Sequence, residues 1–296
     1  MTWQFTLTGL LIGSIVGLTG MGGGSLMTPI LVIVFGFKPT YAVGTDIVHG
    51  AIFKTFGAIR HRRLGTVHGH LTLWMFLGSG PLSLAGVGVA SLIKHHYGDG
   101  AQNIESYAVG AALVAGGIGF LAKSFIKRGV QADDRPFILS RRDKVLAVAI
   151  GAVFGFVVGL TSVGSGTFFG LVMVLVYPLT MPKIVGTDIF HAAALLWVAG
   201  VGHLVSGNVD LHATAWLLTG SIPGVLISSR FTVRLPDIVL RLSLGTILML
   251  SGIKLLKVPG SSWILAGGLA VLGIGLAAYG LRARLARPRP AEPQRA

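Results

Sequence analysis

The chain has no cysteine, and few of its residues are charged. Without thiols there is no disulfide, no thiolate nucleophile and no Cys-ligated metal. Charged residues make up 11% of the 296, against about a quarter in an ordinary soluble domain. Acidic residues are scarcer still, ten against 24 Lys and Arg. The short alternating patterns of barrel strands are missing. The N-terminal stretch lacks a charged n-region and a small-residue cleavage site, so it reads as a first membrane segment.

What is present is apolar. Hydrophobic residues make up 52% of the chain and the mean hydropathy is +0.78. The apolar runs exceed the roughly 20 residues that cross a bilayer, and in lipid only helices and closed barrels satisfy the backbone. The chain therefore reads as an all-α polytopic membrane protein. Its nine apolar segments fall near 4–36, 39–62, 68–94, 104–127, 143–178, 181–203, 210–231, 236–257 and 261–283.

The net charge of +14 invites a nucleic-acid reading, which its placement opposes. Eighteen of the 24 basic residues fall in four places: Arg60 to Arg63, Lys123 to Lys144, Arg230 to Arg241, and the tail from Arg282. Clusters between apolar segments are the positive-inside signature, and no basic face or nucleic-acid module accompanies them. The partner this placement predicts is the lipid bilayer, with no nucleic acid and no cofactor.

The words GTDIVHGA at 44–51 return as GTDIFHAA at 186–193. Residues 17–51 match 159–193 at 14 of 35 positions without a gap, at a constant offset of 142. His61 and His203, Gly78 and Gly220, and Pro81 and Pro223 keep the same offset. This is an internal duplication of a four-segment unit, and the ninth segment stands outside it.

Segments one and five are too long for a single crossing, and each carries a Gly-rich interruption, GLTGMGGGS at 17–25 and GLTSVGSGT at 159–167. Glycine supplies sharp turns and unwound backbone, so each segment is predicted to be a helix, a turn and a half-helix returning towards its starting side. With the basic clusters in the cytoplasm, segment five then begins and ends inside and segment one outside. The halves are inverted repeats, each a Gly-broken helix plus three transmembrane helices, followed by a final extra helix. Such inverted repeats are common in secondary transporters. The boundaries predicted are 1–127 for the first repeat, 128–142 for a cytoplasmic linker and 143–257 for the second repeat. Residues 258–283 form the final helix and 284–296 a cytoplasmic tail. The N-terminus is outside and the C-terminus in the cytoplasm of a bacterial inner membrane.

The GTD-x-x-H motif places Asp46 with His49, and Asp188 with His191, on one helix face each. At 1.5 Å per residue from a start near Thr40, Asp46 lies about 9 Å deep and His49 about 13 Å. Ionisable groups at such depth are functional candidates. The broken helices expose backbone N–H groups and half-helix N-termini suited to anions. Gly22, Gly23, Gly24, Ser25 and Thr45, with Gly164, Ser165, Gly166, Thr167 and Thr187, are the predicted substrate-binding residues. Asp46, His49, Asp188 and His191 are the predicted proton-coupling residues, because two ionised carboxylates beside an anion would repel it. No metal site is assigned, although two Asp and two His brought together by pseudo-symmetry would also suit a divalent cation. An intramembrane aspartyl protease would need two membrane-embedded aspartates too, but the YD and GxGD motifs of such enzymes are missing. Lys54 is expected to snorkel to the cytoplasmic surface, and His61 and His203 to sit at the interface. Asn208, Asp210 and His212 could form an outer vestibule.

The two Gly-rich breaks, G-x-GGG at 20–24 and its looser copy at 162–166, the P-x-x-A-x-GT after the first and the final helix together resemble the TauE/SafE family of membrane transporters, often described as sulfite exporters. GMGGGSLMTPIL and AVGTDI are the most specific stretches. The resemblance implies transport of sulfite or organosulfonates across the bacterial cytoplasmic membrane. The family more often has serine after GT, where this chain has Asp46 and Asp188, a departure that bears on substrate rather than on fold.

Overall fold

In the computed structural model residues 2–19, 23–125, 137–228 and 237–285 are described, and the regular structure among them is all helical. The first apolar segment becomes α1 (Thr2–Thr19), a 3-10 turn (Gly23–Leu26) and α2 (Met27–Ile33). Then follow α3 (Pro39–Arg63), α4 (Gly69–Tyr97) and α5 (Ala101–Phe125). The fifth segment becomes α6 (Arg141–Thr161) and α7 (Phe168–Val176), followed by α8 (Met181–Val205), α9 (Leu211–Ser228), α10 (Asp237–Leu255) and α11 (Ser261–Leu285). Among the described residues five stretches are long and apolar enough to cross a membrane: α4, Ala101–Ala122 of α5, α6, α8 and Ser261–Tyr279 of α11. Helix α3 is as long as α8, but it carries Asp46, His49, Lys54 and a basic last turn.

Both long segments break where glycines accumulate, and both return. Helix α6 stops at Ser162, which has left-handed backbone (φ 63°), and Gly164 and Gly166 follow at φ 122° and 106°. Those angles exclude most side chains. A Cβ on Gly164 would also lie 2.7 Å from the Phe168 ring. After the turn, α7 brings Tyr177 back to the start of α6, where its hydroxyl donates to the Asp143 carbonyl at 3.2 Å. In the first segment Phe35, just past α2, stacks on Phe5 near the start of α1 with ring centroids 4.6 Å apart.

The duplicated helices pack by exchange. Helix α1 lies along α9 and α6 lies along α4, so each broken helix rests on the other half. A Cβ on Gly13 would stand 2.3 Å from the Ser221 carbonyl oxygen, and one on the equivalent Gly155 would stand 2.4 Å from Ser79 Cα. Ser79 and Ser221 are themselves 142 residues apart. Glycine is required there because the backbones touch.

Helices α3 and α8 are each other's counterparts and pair antiparallel. Gly57 faces Ile189, while Gly50 faces Leu196 and Gly200 faces Val48. Trp197 donates from Nε1 to Thr55 Oγ1 at 2.9 Å, and these two residues are also 142 apart. Helices α5 and α10 cross the same way, with Gly110 and Gly252 in mutual contact. Helix α11 touches the bundle mainly through α10. It leaves Trp263, Val271 and Ile274 at least 70% exposed, as a lipid-facing helix would.

Candidate functional site

The middle of α3 passes both breaks. It starts from Pro39 in the first turn, where the missing N–H costs nothing, and its residues from Val43 to Ala51 are all buried. Gly44 permits close approach to the turn after α8, since a Cβ there would lie 2.1 Å from the Asn208 carbonyl oxygen. Thr45 Oγ1 accepts from the Asp210 N–H at 3.0 Å. The second copy repeats the arrangement: Gly186 abuts the Thr66 carbonyl, and Thr187 Oγ1 accepts from the His68 N–H at 2.9 Å. Gly and Thr of the motif thus anchor the turn that precedes the next long helix of the other half. Thr45 and Thr187 hold backbone.

Asp46 is 3% exposed and joins the two breaks. Its Oδ2 accepts from Thr28 of α2 at 2.7 Å and from Ser162 at the second break in a short hydrogen bond. Thr28 and Ser162 hydroxyls are 3.1 Å apart. His49 does not share these partners. Its Nε2 lies 2.9 Å from Ser221 Oγ on α9, and His191 Nε2 lies 2.9 Å from Ser79 Oγ on α4. The two histidines are therefore equivalent ties between the halves, and the motif's Asp and His serve different neighbours.

Lys54 was expected at the surface and is instead buried, at 7% exposure. Its Nζ donates to Ser165 Oγ at 2.8 Å and to the Ser165 carbonyl at 3.0 Å, inside the second break. It also interacts electrostatically with both Asp46 and Asp188. The physical reason is register. Residues eight apart fall within one broad stripe of a helix, so Lys54 follows Asp46 onto the side that meets the breaks. That spacing was the signal available in the sequence. His203 likewise is fully buried rather than interfacial, with Nε2 2.9 Å from the Gly159 carbonyl oxygen.

Ser25 and Thr167 occupy equivalent positions of the two breaks. Both are buried, at 0% and 6% exposure, and neither hydroxyl has a hydrogen-bond partner. A buried unsatisfied hydroxyl costs about 1–3 kcal/mol, and here the cost is incurred at the same place twice. Gly23 and Gly24 form the 3-10 turn that leads into Ser25, and Gly22 lies outside the described residues. Among the described residues no three of His, Cys, Asp and Glu converge as a metal would need. The four-ligand arrangement of Asp46, His49, Asp188 and His191 is not assembled. A buried ammonium and donor hydroxyls from two unwound turns can instead hold an anion, beside two carboxylates that can take up protons.

Comparison with known proteins gives the family. The family described as sulfite exporter TauE/SafE matches residues 5–255. A Bacillus subtilis (strain 168) protein described as probable membrane transporter protein YjnA is 38% identical over 256 residues, covering 86% of this chain and 100% of the relative. Another from that organism, probable membrane transporter protein YdhB, is 25% identical over 247 residues, covering 83% of this chain and 96% of the relative. No solved structure matches the chain.

Proposed function

The chain belongs to the TauE/SafE family of membrane transporters, and from that premise we propose that it is a secondary transporter coupling a small anion, sulfite or an organosulfonate, to protons. The observation that carries the reading is Lys54 at Ser165, with the partnerless hydroxyls of Ser25 and Thr167 at the two breaks. An anion between the breaks would receive the ammonium, those hydroxyls and backbone N–H groups of the glycine turns, among them those of residues 164–166.

The aspartates supply the coupling. In the empty site Asp46 and Asp188 offset the Lys54 charge. An arriving anion adds negative charge to a medium of low dielectric, where uncompensated charge is costly. Proton uptake by the aspartates offsets it, so anion and proton enter together. His49 and His191 hold the two halves in register around this event. The inverted repeats would let the halves exchange inward- and outward-facing forms in a bacterial inner membrane, with the N-terminus outside and the C-terminus in the cytoplasm.

The test is uptake of labelled sulfite and of an organosulfonate into liposomes containing the purified chain, with an imposed pH gradient and proton flux recorded together. Anion accumulation that follows the gradient supports the reading. Uptake of a divalent metal without anion flux would overturn it.

A further inference from the structure

At the far end of α3 from its basic last turn, a pocket of about 310 Å³ opens between the start of α3, the end of α4 and the start of α5. That is the lower end of the roughly 300–1,000 Å³ range of small-molecule sites. Lys38, Tyr41, Lys94, Gln102 and Glu105 are among its lining residues.

The Glu105 carboxylate is only half satisfied. The residue is 5% exposed, its Oε2 accepts from the Thr40 N–H at 3.2 Å, and its Oε1 has no partner. Lys94 is held in place without being used up. Its Nζ donates to Asn208 Oδ1 at 2.8 Å and reaches the Tyr41 hydroxyl at 3.5 Å, over the Tyr41 ring at 4.6 Å. Asn208 is fixed in turn by donating to Ser91 Oγ at 3.2 Å. An ammonium carries three donors, so Lys94 has capacity left towards the pocket. Asn208 belongs to the turn after α8, which Gly44 and Thr45 clamp, so the pocket is mechanically joined to the central motif.

The pocket's chemistry is not duplicated. At the 142-residue offset Lys38, Lys94 and Glu105 become Thr180, Pro236 and Ile247. The central motif is present in both halves, while this cluster is present in one.

We propose that this pocket is a second, one-sided binding site for a small anion that also carries an O–H or N–H donor. The anionic group sits towards Lys94 and Lys38, and the donor satisfies Glu105 Oε1. The inference rests on the chain's being an anion transporter, and it makes the two mouths of the transporter chemically unequal.

Isethionate and ethanesulfonate separate the donor from the charge, since they differ by one hydroxyl. The wild-type chain, purified whole and reconstituted, is offered each anion as a competitor of sulfite uptake from either face. On the Lys94 face isethionate should compete at least about tenfold better, the effect of one charge-assisted hydrogen bond. Glu105→Met should erase that preference. Lys38→Gln, an exposed change that spares the fold, should weaken both anions on that face and leave the opposite face unaltered. No preference in the wild type, or equal shifts on both faces in the variants, overturns the proposal while leaving transport intact. Should the wild type move no anion at all, the transport reading falls. Calorimetric binding of isethionate to the purified chain and to Glu105→Met then decides the pocket by itself.

Discussion

Lys54 of the first half gives its ammonium protons to the hydroxyl and carbonyl of Ser165 in the second half, at 2.8 and 3.0 Å. Its counterpart at the repeat offset is Leu196, so the cation at the breaks comes from one half although both halves supply an aspartate.

Lys54→Met should therefore abolish anion uptake and lower thermal stability, because two carboxylates lose their counter-charge. Restoring charge balance with Asp46→Asn in the same chain should recover much of the melting temperature but none of the uptake. Melting curves and flux on the single and double variants check this. Recovery of uptake in the double variant would show that Lys54 serves charge balance alone.

Asp46→Asn and Asp188→Asn keep the side-chain shape and remove the titration. Anion binding should persist in each, while proton-driven accumulation is lost and the pH dependence of uptake flattens. Substrate affinity and proton flux are measured on the same variant. Retained proton-coupled uptake in both would sink the coupling mechanism.

The serine partners of the histidines offer a symmetric test. Ser221→Ala and Ser79→Ala each remove the group 2.9 Å from a buried imidazole nitrogen. Each should cost about 1–3 kcal/mol, read as matching losses of melting temperature. The two effects should add in the double variant if the ties act independently.

Gly164→Val meets two obstacles, a φ of 122° and the Phe168 ring 2.7 Å from the new Cβ. Backbone strain of roughly 1–3 kcal/mol is expected, with uptake lost and the protein still inserted. Normal uptake by this variant would mean that the second break tolerates ordinary backbone.

The lack of cysteine makes topology directly testable. Single cysteines at Arg62 and Arg142, both exposed, should be protected from an impermeant thiol reagent added outside intact cells. Labelling at either position would break the proposed orientation of the halves.

Much of the fold was legible because hydropathy and glycine report on backbone. The apolar runs give the helices to within a few residues, and the glycines at 164 and 166 mark the second turn by the angles they adopt. The duplication announces equivalent contacts, and pairs such as His49–Ser221 and His191–Ser79 obey it. Side-chain partners were harder to read, because a shared helix face does not fix which neighbour each residue meets. Asp46 and His49 share a face yet bind Ser162 and Ser221 on different helices. The hydroxyls of Thr45 and Thr187 serve turns that periodicity does not reveal. Lys54 was misplaced because its nearness in sequence to Arg60 suggested the surface, whereas its eight-residue spacing from Asp46 points inward.

The exchange of partners between halves also imposes a schedule on synthesis. Thr6 of α1 meets the Trp216 carbonyl 210 residues later in the chain. At roughly 5–20 residues per second, that interval lasts about 10–40 s. Throughout it, the glycine face of α1 is in the membrane before its final neighbour has been translated. Helix α6, by contrast, emerges after α4 and finds its groove already made. Helix α1, made long before α9, is thus among the last to be locked, and premature pairing of its glycine surface, where Gly9 later meets the Leu217 carbonyl and Gly13 that of Ser221, is the hazard that any insertion machinery handling this chain must hold off.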